Sequence, residues 1–189
     1  DALDDAAEKD LVDWDPVSEK FILVHDISNE LKHRLDILQY PLPMIEPPQE
    51  VRNNRQTGYQ TIHGSLLLRD NHHDDDICLD HINRVNSISL SLNADVVAFV
   101  QNHWKGINRQ KPGENYQEFR ARKKAFQKYN DASADVLEGL MFHGNRFWLT
   151  HKYDKRGRTY CQGYHATYQG NDWNKACIEF EDAEVLNDV

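Results

Sequence analysis

The sequence has few cysteines, no long apolar run and no excess of basic residues, and each shortage excludes a class of protein. Its three cysteines are an odd number without a C-x-x-C spacing, which argues against a disulfide framework or cysteine-rich zinc site and favours a reducing cytoplasm. No run of about 18 apolar residues is present and the first ten residues are acidic, so we expect neither a membrane span nor a secretory signal. With 189 residues, 39% of them hydrophobic, the chain can bury a core of ordinary size.

The net charge of −9 weighs against nucleic-acid binding, because affinity for phosphate backbones depends chiefly on Lys and Arg. The distribution of the charge indicates the opposite. Residues 1–20 hold eight acids and two bases, whereas residues 101–128 hold eight bases and two acids, and residues 145–158 hold five bases and one acid. A basic middle between acidic ends is typical of a nucleic-acid-binding surface with solvated or partner-facing flanks.

Apolar spacing and breaker residues predict the elements of the first half of the chain. Residues 17–40 have helical spacing and predict one or two core-facing helices, with a break near 26–28 where Ser28 can act as a cap. Four prolines and two glycines between residues 40 and 64 predict an extended loop. From residue 79 to about 105, apolar residues at spacings of three and four predict one long amphipathic helix.

The second half of the chain changes from helical to strand-like patterns. A second helix is predicted over 115–142, and the Pro-Gly pair at 112–113 predicts a turn, so that two long helices form a hairpin. Aromatic residues interrupted by glycines between 147 and 164 predict short strands with tight turns. Asp172 is a natural amino-terminal cap for a last helix that extends as far as Leu186.

A five-residue D-x-x-G-R motif occupies positions 154–158. An apolar aromatic run precedes it, Tyr160 follows it, and the segment 169–172 (QGND) leads into a predicted helix that contains Lys175. Upstream, matching features occur in the order 40–48 (YPLPMIEPP), 58–59 (Gly-Tyr), 79–100 and the basic run 120–128. In this arrangement the chain resembles the bacteriophage- and mitochondrial-type single-subunit DNA-dependent RNA polymerases over roughly residues 40–180.

The resemblance implies an α+β fold that is mostly α, with helical amino-terminal and thumb regions followed by the first strands and helix of a polymerase palm. A partner chain is expected to complete this palm. The implied regions are 1–70 with the extended proline-rich loop, 71–144 as a helical thumb-like hairpin, and 145–189 as the start of the palm. Residues 1–39 carry no motif of the family.

The chemistry of the motif is suited to binding the phosphate backbone of a nucleic acid. An arginine donates bidentate hydrogen bonds to phosphate, a glycine allows close backbone approach, and an aspartate can fix the direction of the arginine. The resemblance implies that Arg158 contacts the template strand or the RNA–DNA hybrid and that Asp154 organises the loop. The expected nucleic-acid-binding residues are Asp154, Arg156, Gly157, Arg158, Lys175, Arg120, Arg122, Lys123 and Lys124. The alternatives are a solvated helix face for the basic run and an ordinary turn salt bridge for the motif.

In this family, two palm aspartates hold a pair of magnesium ions, and they lie well after D-x-x-G-R. We therefore expect no catalytic residue and no metal site on this chain, and Mg²⁺ bound by a larger subunit that carries the remaining palm and the fingers. The heterodimeric enzyme of some lytic podoviruses has this form. The other expected partners are the DNA template, the RNA–DNA hybrid and a DNA-opening or single-stranded-DNA-binding factor, in the cytoplasm of a bacterial host if the chain is phage-encoded.

Two alternatives to the smaller-subunit hypothesis remain open. The chain can be a non-catalytic nucleic-acid-binding or regulatory relic of a polymerase, or a fragment of one longer polymerase chain. Two local patterns are interpreted as structural. The segment 21–28 (FILVHDIS) resembles a strand with a catalytic aspartate but has no companion motif, and 71–76 (NHHDDD) is interpreted as a solvated loop because contiguous residues rarely converge on one metal ion.

Overall fold

The computed structural model describes residues 2–71, 73, 75 and 77–182, and the chain forms two compact units, Asp1–Asp36 and Ile37–Val189. The regions expected from the sequence, 1–70, 71–144 and 145–189, stay predictions. None of the described helices is both long enough and apolar enough to cross a membrane. The three cysteines are free thiols.

The first unit contains helix α1 (Ala2–Glu8) and an antiparallel hairpin of strands β1 (Val12–Asp15) and β2 (Lys20–Leu23). The helix expected over 17–40 is therefore wrong for its first half. A short apolar run can form either element, and here the ring of Phe21 pairs across the strands with Trp14, with the ring centroids 5.1 Å apart. Helix α2 (Asn29–Leu38) begins where expected, because the Ser28 hydroxyl accepts a hydrogen bond from the Leu31 amide at 3.1 Å.

The second unit combines one long helix with short elements. A 3₁₀ turn (Leu68–Asp70) precedes them, and in chain order they are α3 (Leu79–Asn86), β3 (Leu90–Leu92), α4 (Ala94–Phe99), α5 (Tyr116–Phe142), β4 (His151–Tyr153), β5 (Thr159–Cys161), α6 (Asp172–Ala176) and β6 (Ile178–Phe180). Strand β3 pairs with β6 and β4 with β5, both antiparallel. The elements enclose an apolar core in which Phe147 and Leu137 are buried.

The single long helix expected over 79–105 is wrong, and with it the two-helix hairpin. The chain leaves the helix at Asn86 and forms β3, where Leu90 exchanges backbone hydrogen bonds of 2.8 and 2.9 Å with Phe147. The segment 87–92 alternates serine with isoleucine or leucine, which is a strand pattern inside a stretch of helical spacing. The Asn93 side chain then caps α4 by accepting from the Val96 amide at 2.9 Å.

Helix α5 confirms the helix expected over 115–142. Asn115 and Glu118 form a capping box at its start, with both hydrogen bonds at 2.9 Å, and Gly144 with φ +96° follows its end. The last helix starts one residue earlier than expected, since Asn171 and not Asp172 provides the cap. It ends at Ala176, and the chain continues into β6, so the extension through residue 180 is wrong, while Leu186 lies outside the described residues.

The proline-containing segment 40–64 is irregular, as expected, but it packs against the strand region. Met44 exchanges two backbone hydrogen bonds with Trp148, at 2.9 and 2.8 Å, and Leu67 forms a bridge with Tyr153. Gly58 lies so close to its neighbours that a Cβ there would be 2.8 Å from Cγ2 of Thr150. The segment is therefore part of the same packed unit as the D-x-x-G-R hairpin.

Candidate nucleic-acid interface

The D-x-x-G-R motif forms the turn of the β4–β5 hairpin. The Asp154 amide donates to the Arg158 carbonyl oxygen and the Gly157 amide donates to the Asp154 carbonyl oxygen, both at 2.9 Å. Gly157 has φ +78°, a backbone conformation that glycine adopts without steric cost. The loop residues Lys155 and Arg156 lie at the tip of this turn, and both are exposed.

The Asp154 carboxylate stabilises this turn by accepting hydrogen bonds from groups within it. Its Oδ1 atom accepts from the backbone amides of Arg156 and Arg158 at 2.9 and 3.0 Å, and its Oδ2 atom accepts from Nε of Arg158 at 2.8 Å. Only 14% of the Asp154 side chain is exposed. Partial burial raises the pKa of Asp154, but the hydrogen bonds from Arg158 outweigh it and bring the pKa below its usual range. These contacts fit the orienting role expected for the aspartate, and they equally fit an ordinary turn salt bridge.

The Arg158 guanidinium is held in place and still accessible. Its Nη2 atom lies 2.7 Å from Oδ2 of Asp154, and the group lies over the Tyr160 ring, 5.4 Å from the centroid. Even so, 53% of its side chain is exposed. Arg156, 64% exposed, approaches the same carboxylate at 3.4 Å. Two guanidinium groups thus share one carboxylate, which leaves an excess of positive charge at the tip of the hairpin.

A cleft of about 550 Å³ opens beside Arg158. Strand β5, helix α5 and the segment before α6 all contribute to its walls. The lining residues are Tyr129, Arg158, Thr159, Tyr160, Cys161, Gly163, Tyr164, Thr167, Gln169, Gly170 and Asn174. The sequence did not identify Tyr129, Tyr164, Gln169 or Asn174 as site residues, because they come from segments up to 45 positions apart.

Gln169 of the QGND segment bonds to strand β5, and Asn174 of helix α6 bonds to helix α5. The Gln169 side chain accepts from the Cys161 amide at 2.8 Å and donates to the Thr159 carbonyl oxygen at 3.2 Å. The buried Asn174 amide donates to the Tyr129 hydroxyl at 3.1 Å. Lys175, by contrast, does not line the cleft; its side chain is 57% exposed, with Nζ 4.0 Å from Oδ1 of Asp172.

The basic residues of α5 do not join Arg158 in this cleft. Arg120, Lys123 and Lys124 are exposed, and Lys123 lines a different cleft, of about 690 Å³, between α4 and α5. They lie within the first three turns of α5, whereas Tyr129 marks the position at which the helix reaches the Arg158 cleft. The basic run and the D-x-x-G-R turn are therefore separate positive features of the second unit.

Arg122 has a different environment from its basic neighbours. It donates to both carboxylate oxygens of Glu114, at 2.7 and 2.8 Å, and to the carbonyl oxygens of Gly106 and Arg109, at 3.3 and 2.9 Å. The guanidinium also lies over the Trp104 ring at 5.1 Å. The hydrogen bonds from Arg122 lower the pKa of Glu114 to about 2. Arg122 was expected to contact nucleic acid, but its side chain fixes the loop before α5 and is only 14% exposed.

Among residues 2–71, 73, 75 and 77–182, no three His, Cys, Asp or Glu side chains come together as a metal site. Of the NHHDDD segment, His73 and Asp75 are described, 3.9 Å apart between Nδ1 and Oδ2, whereas residues 72, 74 and 76 lie outside the described residues. The apolar part of the FILVHDIS segment is strand β2, followed by the Ser28 cap.

Two curated proteins, each named "Probable DNA-directed RNA polymerase", are similar to this chain. The protein from Agaricus bitorquis is 27% identical over an alignment of 197 positions, which covers 90% of this chain and 17% of that protein. The protein from Gelasinospora sp. (strain G114) is 24% identical over an alignment of 169 positions, which covers 84% of this chain and 19% of that protein. The chain is thus similar to DNA-directed RNA polymerases. No model of a known protein family matches it.

These similarities confirm the relation to RNA polymerases that the sequence indicated, and they extend over most of the chain. The chain spans less than a fifth of the length of either relative. The smaller-subunit role and the nucleic-acid contacts of the D-x-x-G-R residues stay predictions.

Proposed function

We propose that this chain is the smaller subunit of a two-chain DNA-directed RNA polymerase. In that enzyme it contributes to the binding of the template and the RNA–DNA hybrid. The observation that carries the proposal is the Arg158 guanidinium, which Asp154 orients while half of the side chain stays exposed beside a cleft. A fixed guanidinium recognises phosphate better than a mobile one, because less conformational entropy is lost when the contact forms.

The remaining positive groups add to the proposed nucleic-acid-binding surface. Arg156 and Lys155 lie at the tip of the same turn and can add contacts to the nucleic-acid backbone. Lys175 and the exposed run Arg120, Lys123 and Lys124 provide further positive charge on the same unit. Each phosphate neutralised releases condensed counterions, so these residues contribute affinity without sequence preference. Arg122 is not included, because its donors are used within the protein.

Polymerisation itself is assigned to the partner. The proposed larger subunit carries the remaining palm and the fingers, and its carboxylates bind the Mg²⁺ ions that stabilise the charge of the transferred phosphoryl group. A DNA-opening or single-stranded-DNA-binding factor is a further proposed partner, and efficient promoter-specific synthesis from linear duplex DNA by the pair alone would contradict it.

Co-expression with the candidate larger chain tests the two-chain proposal. We expect stoichiometric co-purification and Mg²⁺-dependent RNA synthesis from the pair and from neither chain alone. If the chain does not bind its candidate partner but still binds DNA, the result would instead support the alternative that it is a regulatory relic of a polymerase. Intact-mass measurement of the native protein tests the second alternative, because a fragment of a longer polymerase would derive from a chain much heavier than 22.1 kDa.

Arg158→Ala in the reconstituted enzyme tests the site. We expect more abortive products and weaker retention of the hybrid, with subunit assembly intact because Arg158 is exposed and lies on a turn. Arg122→Ala is not a suitable control, since the loss of its contacts with Glu114 and the loop carbonyls is expected to destabilise the fold. Unchanged transcription by Arg158→Ala would remove the proposed role of the D-x-x-G-R turn.

A further inference from the structure

One wall of the cleft beside Arg158 includes Tyr164, whose ring is stacked on that of Tyr40. The ring centroids of Tyr40 and Tyr164 are 3.7 Å apart and the ring planes differ by 15°. Tyr164 lines the Arg158 cleft, whereas Tyr40 lines a separate cleft of about 590 Å³ formed by residues 38–46 and 59–62. The stacked pair therefore separates two clefts, and only the Tyr164 side has a guanidinium next to it.

The position of Tyr164 is fixed by residues of both neighbouring helices. The Tyr129 hydroxyl donates to the Tyr164 carbonyl oxygen at 3.3 Å and accepts from the Asn174 side chain at 3.1 Å. The Tyr129 ring meets the Tyr164 ring edge-on, with centroids 5.4 Å apart. Tyr164 nevertheless keeps 41% of its surface exposed, whereas the core residue Tyr153 keeps 6%. An aromatic ring that is ordered and still exposed is suited to stacking against a ligand.

We infer that this cleft is a subsite for one unpaired nucleobase of a single-stranded segment, with the base packed against Tyr164 and its phosphate on Arg158. The inference rests on the proposed nucleic-acid-binding function and adds the form of nucleic acid that the cleft takes. A volume of about 550 Å³ is in the range of small-molecule sites. A base within a duplex has both faces covered by its neighbours, so only an unpaired base can offer a face to a tyrosine.

The cleft is expected to accept any base. The Gln169 side chain occupies the Cys161 amide and the Thr159 carbonyl oxygen, the backbone groups of β5 that would otherwise be available to a base edge. Stacking and phosphate contact do not distinguish between bases, because every base has a π-face and every nucleotide a phosphate. The subsite therefore selects single strands by shape, without a sequence preference.

Fluorescence of 2-aminopurine tests the inference on the full 189-residue chain. The probes are 12-nucleotide single strands of DNA and of RNA with one central 2-aminopurine, and the same strands paired with their complements. We expect quenching when the single strand binds and not when the paired strand binds. Tyr164→Ala should abolish the quenching and weaken single-strand binding about tenfold, the effect of losing one stacked base. Tyr164→Phe should retain both, because it keeps the ring.

Phe142→Ala is the matched control, since Phe142 is 86% exposed at the end of α5 and outside the cleft, and it should bind as the wild type does. Wild-type binding without quenching, or equal quenching by Tyr164→Ala, would overturn the inference. If the wild type binds an RNA–DNA hybrid in an Arg158-dependent way but does not quench the single strand, the subsite fails and the proposed function stands. If the protein binds neither the single-stranded probes nor the hybrid, the subsite and the proposed function both fail. Circular dichroism shows whether Tyr164→Ala folds. If it does not, the presence or absence of quenching with the wild type still decides whether the subsite exists.

Discussion

Arg122 and Arg158 both pair with a carboxylate and both lie over an aromatic ring, yet the two regions have opposite consequences. The Arg122–Glu114 pair is nearly buried, with 14% and 11% of the side chains exposed, and Arg122 also donates to two backbone carbonyl oxygens. In the Arg158–Asp154 pair the carboxylate is equally covered, but the guanidinium is 53% exposed. The comparison shows that an arginine–carboxylate contact by itself says nothing about function; the exposure of the guanidinium separates an arginine that holds a loop from one that can bind a ligand.

The largest effect is expected from Arg122→Ala. The substitution removes four hydrogen bonds and the Trp104 contact, and it leaves the covered Glu114 carboxylate without the guanidinium, although the backbone amide of Lys111 still donates to it. We expect the melting temperature to fall by roughly 5–10 °C, as for the loss of one partner of a buried ion pair. Thermal unfolding followed by circular dichroism measures it. A melting temperature within a degree of the wild type would show that the pair does not stabilise the loop.

Arg158→Ala should weaken nucleic-acid binding and have little effect on stability, which is the reverse of Arg122→Ala. We expect affinity for an RNA–DNA hybrid to fall about tenfold and the slope of log K against log salt to decrease by about one, because one phosphate contact is lost. The melting temperature should change little, since the Arg158 side chain is exposed and Asp154 keeps Arg156 and two backbone amides as partners. Fluorescence anisotropy at several salt concentrations measures both quantities. Arg158→Lys keeps the charge but not the bidentate geometry, and it should recover the salt slope more fully than the affinity.

The pH dependence of stability sharpens the comparison on the Arg122 side. Glu114 has a pKa of about 2 in the folded protein, below its ordinary value of 4.5, because Arg122 hydrogen-bonds to its charged form. Its contribution to stability is thus fully present above pH 4.5 and is lost as the pH falls towards 2. We expect the difference in melting temperature between the wild type and Glu114→Gln to shrink over this interval. A difference that stays constant from pH 6 to pH 3 would contradict the assignment.

The predictable parts of both regions are those fixed by neighbouring residues. Helix α5 follows from the capping pair Asn115 and Glu118 and from the breakers that precede it. The turn at Arg158 follows from an aspartate that bonds to nearby amides and a glycine that adopts φ +78°. The orientation of Arg158 by Asp154 was inferred from this local chemistry, and the structure has the same contact.

The parts that were not predictable depend on distant residues. The 87–92 segment forms a strand because Phe147 and β6 pair with it, and its helical spacing concealed the alternation of serines with apolar residues. The role of Arg122 depends on whether Glu114 and the loop carbonyls reach it, which the charge pattern could not show. Tyr164 lines its cleft together with Tyr129, and these residues are 35 positions apart.

Two glycines allow a matched substitution in the two regions. Gly113, in the loop that Glu114 joins to Arg122, has φ +80°, and Gly157, in the Arg158 turn, has φ +78°; an added Cβ meets no atom within 4 Å at either position. Alanine at each should therefore cost about 1 kcal/mol for the left-handed backbone alone. Equal losses of stability, measured by urea unfolding, are expected for the two variants. Only Gly157→Ala should also weaken hybrid binding, by a few-fold, because it disturbs the turn that directs Arg158. Equal binding losses for both variants would mean that backbone strain anywhere in the unit reaches the interface, and the separation of the two arginines would then fail.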